Sequence, residues 1–524
     1  MPTRREALAA SAAVTGGALL AAAPAAAAVP RVTPVTPVIP VTPIPHKAPN
    51  RPHPTIALTH ATLLNPGRDI RTSGPDHTIL ITDGRITRTG RFADVPIPRG
   101  ATTYDLTGKF VVPGGLVEAH VHNSGPEDVL PPLFPLNGVT AVREMWGSPV
   151  HHEWREKVRA GTLLGPRWVI SSPIIDGRPS IWADDTGQRF IEVADAASAR
   201  RAVREVKAGG ADFVKVYSRL SPEAYEAIAD ECRRQGLRYA GHCPDNLPIA
   251  RASDAGQQSI EHLHALLLAT SAREREIRRA LAKVRIDPAL GSSFERYGSW
   301  FRQVHPVEWE AVRTYDVGRT RALFDRLAAN GTRVVPTLTV HHSLERTDQL
   351  PTDSPEFKYL PRWVTDSWPD IWAGLTAGRT AQDTARIQRI YEHRLRLVGE
   401  LHRAGVPLAA GTDTGTGYAV PGFSVHHEME LLAEAGLPTR DVLRAATTEP
   451  ARMLGLPADR ADLLVLDADP RTDIRHTRRI DSVLVAGRYL DRAERLRLLD
   501  DVARAAAASE PPAEGAPAPH VCVH

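Results

Sequence analysis

The chain is 524 residues long and 42% hydrophobic, enough for one large domain with a smaller one beside it. Its 64 basic and 61 acidic residues nearly balance, and no long basic run concentrates the charge, which argues against a nucleic-acid or anionic-membrane partner. Three cysteines, Cys232, Cys243 and Cys522, are too few for a disulfide framework in a chain of this size.

Residues 1–28 read as a targeting segment. Arg4 and Arg5 precede an alanine-rich stretch over residues 7–23, and Ala26, Ala27 and Ala28 supply small residues for cleavage. Adjacent arginines point to the twin-arginine route and so to export to the cell envelope or beyond, although Ala7 stands where that signal often has a large apolar residue. Gly16, Gly17, Pro24 and the sparse Leu, Ile and Val content argue against a stable membrane span. Residues 29–54 form a linker with prolines at 34, 37, 40 and 43, a spacing that favours extended polyproline II.

From residue 55 to 108 short apolar runs alternate with turns, and Asp83-Gly84 between two of them predicts a hairpin. Matching runs at residues 457–490 predict that both chain segments build one small β-sandwich domain. Residues 109–456 between them hold eight apolar runs separated by helical patterns: 111–121, 141–145, 168–175, 213–217, 238–241, 259–262, 333–340 and 406–411. Continuous apolar strands alternating with helices are buried on both faces and parallel. Eight of them predict an α/β fold of the (β/α)8 TIM-barrel type, with active groups at the C-terminal strand ends. Residues 265–330 and 341–380 are too long for ordinary loops and read as a lid or pocket wall. Residues 491–524 read as a C-terminal helix and a disordered tail.

Six polar residues fall at the ends of these runs: His120, His122, Lys215, His242, His262 and Asp413. His120 and His122, two apart on a strand, share one face. Neutral imidazoles suit zinc and similar ions, and Asp413, in Gly411-Thr412-Asp413-Thr414-Gly415, offers a carboxylate. Lys215 lies among apolar neighbours in Phe213-Val214-Lys215-Val216-Tyr217. An interior ammonium beside two cations is disfavoured, whereas its carbamate is an anion with two oxygens. Such a centre lowers the pKa of water and polarises a carbonyl, with Asp413 as base and then acid.

These motifs, with Val112-Pro113-Gly114-Gly115-Leu116 leading into His120, resemble the amidohydrolase superfamily, specifically its binuclear imidazolonepropionase-like and prolidase-like group. The resemblance covers residues 55–488. It implies two divalent ions, most simply zinc: one on His120, His122 and Asp413, the other on His242 and His262, with carboxylated Lys215 bridging them. It also implies hydrolysis of a carbon–nitrogen bond by a metal-bridging hydroxide, with dipeptides, other small peptides or N-acyl amino acids as substrates. One departure is the short Leu456-Pro457-Ala458-Asp459-Arg460 stretch, which predicts a shortened strand in the small sheet. Arg143, Tyr217, His341 and His342 lie at or just beyond strand ends, where each either holds a substrate carboxylate or carbonyl or serves a structural role.

Ester, lactone or phosphotriester hydrolysis is the alternative on the same residues. A mononuclear deaminase needs no Lys215 and usually has a glutamate three residues after the third histidine, where this chain has Asp245. A non-catalytic binding protein fits least, because all six residues are retained. A homo-oligomer is compatible with the composition.

Overall fold

The computed structural model describes residues 55–65, 74–123, 125–182, 189–287, 289–290 and 292–511. The expected targeting segment, the linker, Cys522 and the extreme C-terminus lie outside them. Among the described residues no helix is long and apolar enough to cross a membrane.

Seven parallel strands pair in chain order: Leu116–Val121, Val139–Glu144, Arg167–Asp176, Phe213–Val216, Arg238–Gly241, Ser259–Glu261 and Arg333–Val335. The expected eighth run forms no ladder strand, yet it closes the ring. Val334 N–H donates to Pro407 O at 3.0 Å and Ala409 N–H to Val334 O at 3.1 Å. On the other side Ala119 N–H donates to Ala410 O at 2.8 Å and Asp413 N–H to His120 O at 2.9 Å. A longer ladder fails for a local reason: Pro407 has no N–H, and the N–H of Ala410 turns away to Ala445 O at 2.7 Å.

Two other runs divide differently from the sequence expectation. Residues 111–121 belong to two sheets, because Gly114 and Gly115 take φ of 82° and 62° and break the run. Phe110–Pro113 joins the small sheet and Leu116–Val121 begins the barrel. The run at 333–340 ends as a strand at Val335; after Pro336 the chain turns at Thr337 (φ 47°) into the helix Leu338–Glu345.

The barrel interior is packed by Val117, Ala119, Ala141, Val169, Phe213 and Ala240, with Met453 and Leu454 in the same cluster. Phe213 and Lys215 lie two apart on one strand, so Lys215 takes the inward face. The register of the first strand shifts between Glu118 and Val121, just where the histidine pair begins. Such irregularities re-aim side chains near sites.

The N- and C-terminal strand segments meet in one hydrogen-bonded sheet of eight strands, not in two separately paired sheets. Leu463–Leu466 runs antiparallel to Phe110–Pro113, and Ile480–Val485 and Arg488–Leu490 continue that edge. Ile56–Leu63, Gly74–Thr82 and Arg85–Arg91 extend the other side, with Thr102–Asp105 beside Ile56 to Thr59. Asp83 (φ 51°) and Gly84 (φ 69°) make the two-residue turn expected from Asp-Gly. The short stretch before Ala461 docks on that turn, Ile86 N–H donating to Asp459 O at 2.8 Å. Asp462, buried, binds Arg167 Nε at 2.6 Å and ties sheet to barrel.

Both long insertions are helical. His264–Ala269, Glu274–Leu281, Ser293–Arg313 and Val317–Asn330 lie between the sixth and seventh strands. After the seventh come Leu338–Glu345, Trp368–Thr376 and Ala381–Arg403. A further helix, Arg492–Ala508, follows the small sheet.

Candidate metal centre and its pocket

The barrel strands bring the imidazoles of His120, His122, His242 and His262 together with Asp413 and Lys215. Ring centroids of His120 and His262 are 4.9 Å apart, and those of His242 and His262 4.8 Å. Asp413 Oδ1 lies 3.1 Å from Nε2 of both His120 and His122, and these two nitrogens are 3.2 Å apart. Ligand atoms on a tetrahedral ion with bonds of about 2.1 Å sit roughly 3.4 Å from one another, so this triangle fits one face of such a site. Ligand atoms of His120, His262 and Asp413 also fall within 4.8 Å of one another.

The other ring nitrogens turn outward to partners that fix the rings. His120 Nδ1 lies 2.7 Å from Glu261 Oε2, His242 Nδ1 2.7 Å from Ser218 Oγ and His262 Nδ1 2.6 Å from Thr337 Oγ1. A partner on the outer nitrogen selects the tautomer and leaves the inner one able to ligate. His262 and Asp413 hold φ of 62° and 60°, a region that side chains other than glycine seldom adopt. The strain falls on two of the converging groups, as it does at functional sites.

Burial, with the Lys215 charge and other imidazoles close by, holds His242 and His262 well below the usual histidine range, so both rings are neutral. Burial pushes the Asp413 carboxyl well above its usual range, and Lys215 opposes that shift. Lys215 itself is fully buried. Three more buried carboxyls stand close by. Burial raises Glu118 and Glu144 to about 8 and Glu428 to about 7. Glu144 accepts from the backbone and side-chain amides of Asn123, next to His122.

Several expected roles change. Arg143 does not reach a substrate: it is fully buried, and its Nε, Nη1 and Nη2 donate to Ala119 O, Ser259 Oγ and Glu261 at 2.5, 2.8 and 2.9 Å. It holds the carboxylate that orients His120. Tyr217 stacks on His242 with centroids 4.0 Å apart and bonds the Tyr297 hydroxyl, so it backs the imidazole. His341 lines the pocket, but Nε2 accepts from Leu263 N–H at 3.3 Å and Nδ1 faces Glu345 at 3.3 Å, which occupies both nitrogens. His342, one residue on, turns out of the pocket toward Gln349. The sequence pattern did not single out Glu261, Ser218 or Thr337 as partners of these rings. The signal available was a hydroxyl or carboxylate next to a strand-end histidine or at the neighbouring strand end.

The pocket opens beside His242 and His262 and is walled by the first insertion, with Tyr297, Trp300 and Phe301 on one helix. Cys243 also lines it, with its thiol pushed up to about 12 by burial.

No family model matches the chain, and no curated protein matches its sequence. Solved structures do share its fold. Bottromycin amidohydrolase is 24% identical with a TM-score of 0.66, over 86% of this chain and 90% of that one. An Xaa-Pro dipeptidase with bound methionine is 17% identical with a TM-score of 0.58, over 83% of this chain and 100% of that one. A prolidase complexed with N-methylphosphonate-L-proline is 20% identical with a TM-score of 0.58, over 84% and 100%. The architecture described above is thus that of solved amidohydrolases and prolidases.

Proposed function

We propose that the chain is an exported, metal-dependent amidohydrolase that cleaves a carbon–nitrogen bond in small peptides or N-acyl amino acids. The observation that carries this reading is the convergence of His120 Nε2, His122 Nε2 and Asp413 Oδ1 within 3.2 Å of one another, with His262, whose ring lies 4.9 Å from that of His120, lining the pocket. The neighbours' names, an amidohydrolase, a dipeptidase and a prolidase, support the choice of bond.

In this reading His120, His122 and Asp413 would hold one divalent ion and His242 and His262 a second, with Lys215, once carboxylated, available as a ligand to both. Two such ions, zinc by the preference of imidazole, supply Lewis-acid activation of water and of the scissile carbonyl. The chain's own residues do the rest. Asp413 accepts the proton of the attacking water and returns it to the departing amine. Glu261, Ser218 and Thr337 keep the imidazoles in the ligating tautomer, and the aromatic wall keeps bulk water from the bond. Export by the twin-arginine route, which carries folded proteins, lets the centre assemble before transport.

The test is elemental analysis of the purified mature protein, with and without Lys215→Ala, beside a hydrolysis panel of dipeptides and N-acyl amino acids. About two zinc-like ions per chain, lost together with activity in the variant, is the expected result. One ion or none, with the variant unaffected, overturns the two-metal centre.

A further inference from the structure

The pocket lining also carries a charge cluster that the proposed reaction does not use. Arg394, on Ala381–Arg403, is buried and lines the cavity. Its Nη2 donates to Glu308 Oε1 at 2.6 Å, and its Nε to the two oxygens of Glu345 at 2.9 and 3.2 Å. His264 Nδ1 lies 2.8 Å from the same Glu308 oxygen. The remaining guanidinium nitrogen, Nη1, is buried with no hydrogen-bond partner among the described residues. Interiors seldom leave such a donor unmet, so a pocket occupant is its natural acceptor.

Arg394 is one cation shared by two buried carboxylates. Burial alone would raise the Glu308 and Glu345 carboxyls, but Arg394, with hydrogen bonds from His264 and His341, outweighs it and holds both ionised. Against these two carboxylates stand Arg394 and Arg379, which donates to Leu344 O at 2.9 Å. Burial brings His305 down to about 4 and lowers His341, which keeps both neutral. Arg394 thus offers Nη1 to the pocket while its own charge is already met by two carboxylates at 2.6 and 2.9 Å; His264 Nε2 and Arg379 Nη2 are likewise buried without a partner among the described residues. The same lining carries Tyr297, Trp300 and Phe301 on one helix, with Leu344, while His341 stands between His262 and Glu345.

Resting on the hydrolase reading and narrowing its substrates to those blocked at the carboxyl end, rather than free N-acyl amino acids, we propose that the pocket selects a substrate with a large apolar or aromatic group against Tyr297, Trp300 and Phe301. Its far end is an uncharged oxygen acceptor, an amide or carbonyl, bound by Arg394 Nη1. A free carboxylate there would surrender its hydration without gaining a net counter-charge.

Calorimetric binding of N-acetyl-phenylalaninamide and N-acetyl-phenylalanine to the metal-loaded protein and to Glu345→Gln tests this, with turnover of the same pair measured in parallel. The wild type is expected to bind the amide about tenfold more tightly than the acid. Glu345→Gln keeps an oxygen toward Arg394 but frees one positive charge, so the acid gains about tenfold and the amide changes little. Trp300→Leu weakens both ligands equally, and circular dichroism of each variant checks its fold. Equal or tighter binding of the acid by the wild type, or a ratio unmoved in folded Glu345→Gln, overturns the proposal. Selective binding without turnover overturns the hydrolase reading alone, and turnover without selectivity overturns this inference alone.

Discussion

Two sets of buried ionisable side chains reach one pocket, the first through His242 and His262 and the second through Glu308, Glu345 and Arg394, and they are held in different ways. The His120, His122, His242, His262 and Asp413 set stands at barrel strand ends and on the closing run, with the His120, His242 and His262 rings locked by Glu261, Ser218 and Thr337. The Glu308, Arg394 and Glu345 set stands on three helices of the insertions, and its members hold mainly one another. Groups on a hydrogen-bonded barrel are fixed by the backbone, so removing one leaves the others in place. Groups on packed helices are fixed by their own charges, so removing one exposes the rest. The first arrangement suits a rigid centre; the second suits a wall whose members depend on one another.

That contrast is open to direct attack. Asp413→Asn is expected to cut kcat by roughly 10³-fold through loss of the proton acceptor, while the melting temperature stays or rises because a costly buried carboxyl is gone. Steady-state kinetics and calorimetry on one preparation check both halves. Arg394→Met, by contrast, is expected to cost about 3–5 kcal/mol of stability by stranding two carboxylates. Adding Glu308→Gln and Glu345→Gln recovers much of that loss, and a denaturant titration that shows no recovery contradicts the charge-held picture. Glu261→Gln is expected to weaken metal affinity about 10- to 100-fold through His120, as read by competition with a chelator.

The pH dependence separates the two sets more finely. Glu308 and Glu345 have folded-state pKa values below the ordinary glutamate range. Their stabilisation is therefore complete above the unfolded value of about 4.5 and is lost as pH falls through the folded values. Acid unfolding of the wild type should show that slope, and the triple variant should lack it. The smallest expected effect is Thr337→Val, about 1 kcal/mol in stability from the lost bond to His262, with a matching small fall in metal affinity.

Much of the strand-end set was legible because period-two alternation and apolar runs place residues at barrel strand ends without any tertiary knowledge. Phe213-Val214-Lys215-Val216 is such a case: the bulky inward Phe213 fixes the face of Lys215. Where the reading departed, a local backbone fact decided. Gly114-Gly115 cut one apolar run in two, Pro336 and Thr337 turned a strand into a helix, and Pro407 denied the last run a ladder. Arg143 looked like a substrate ligand because its position at a strand end is visible in sequence, whereas the inward carboxylate of Glu261 that consumes it is not. The Glu308, Arg394 and Glu345 set was invisible for a stronger reason: its members meet only through the packing angles of three helices, which no periodicity encodes.

The barrel's closing contacts also bear on how the chain is made. Thr412 reaches back to Glu118 across 294 residues, and Lys109 pairs with Asp481 across 372. Contacts this distant form late, since loop closure and synthesis both delay them. His120 and Asp413 thus meet only when nearly the whole chain has emerged. An abbreviated or half-folded copy holds neither the nitrogen–carboxylate triangle nor a sealed small sheet, which makes metal retention a readout of completed folding.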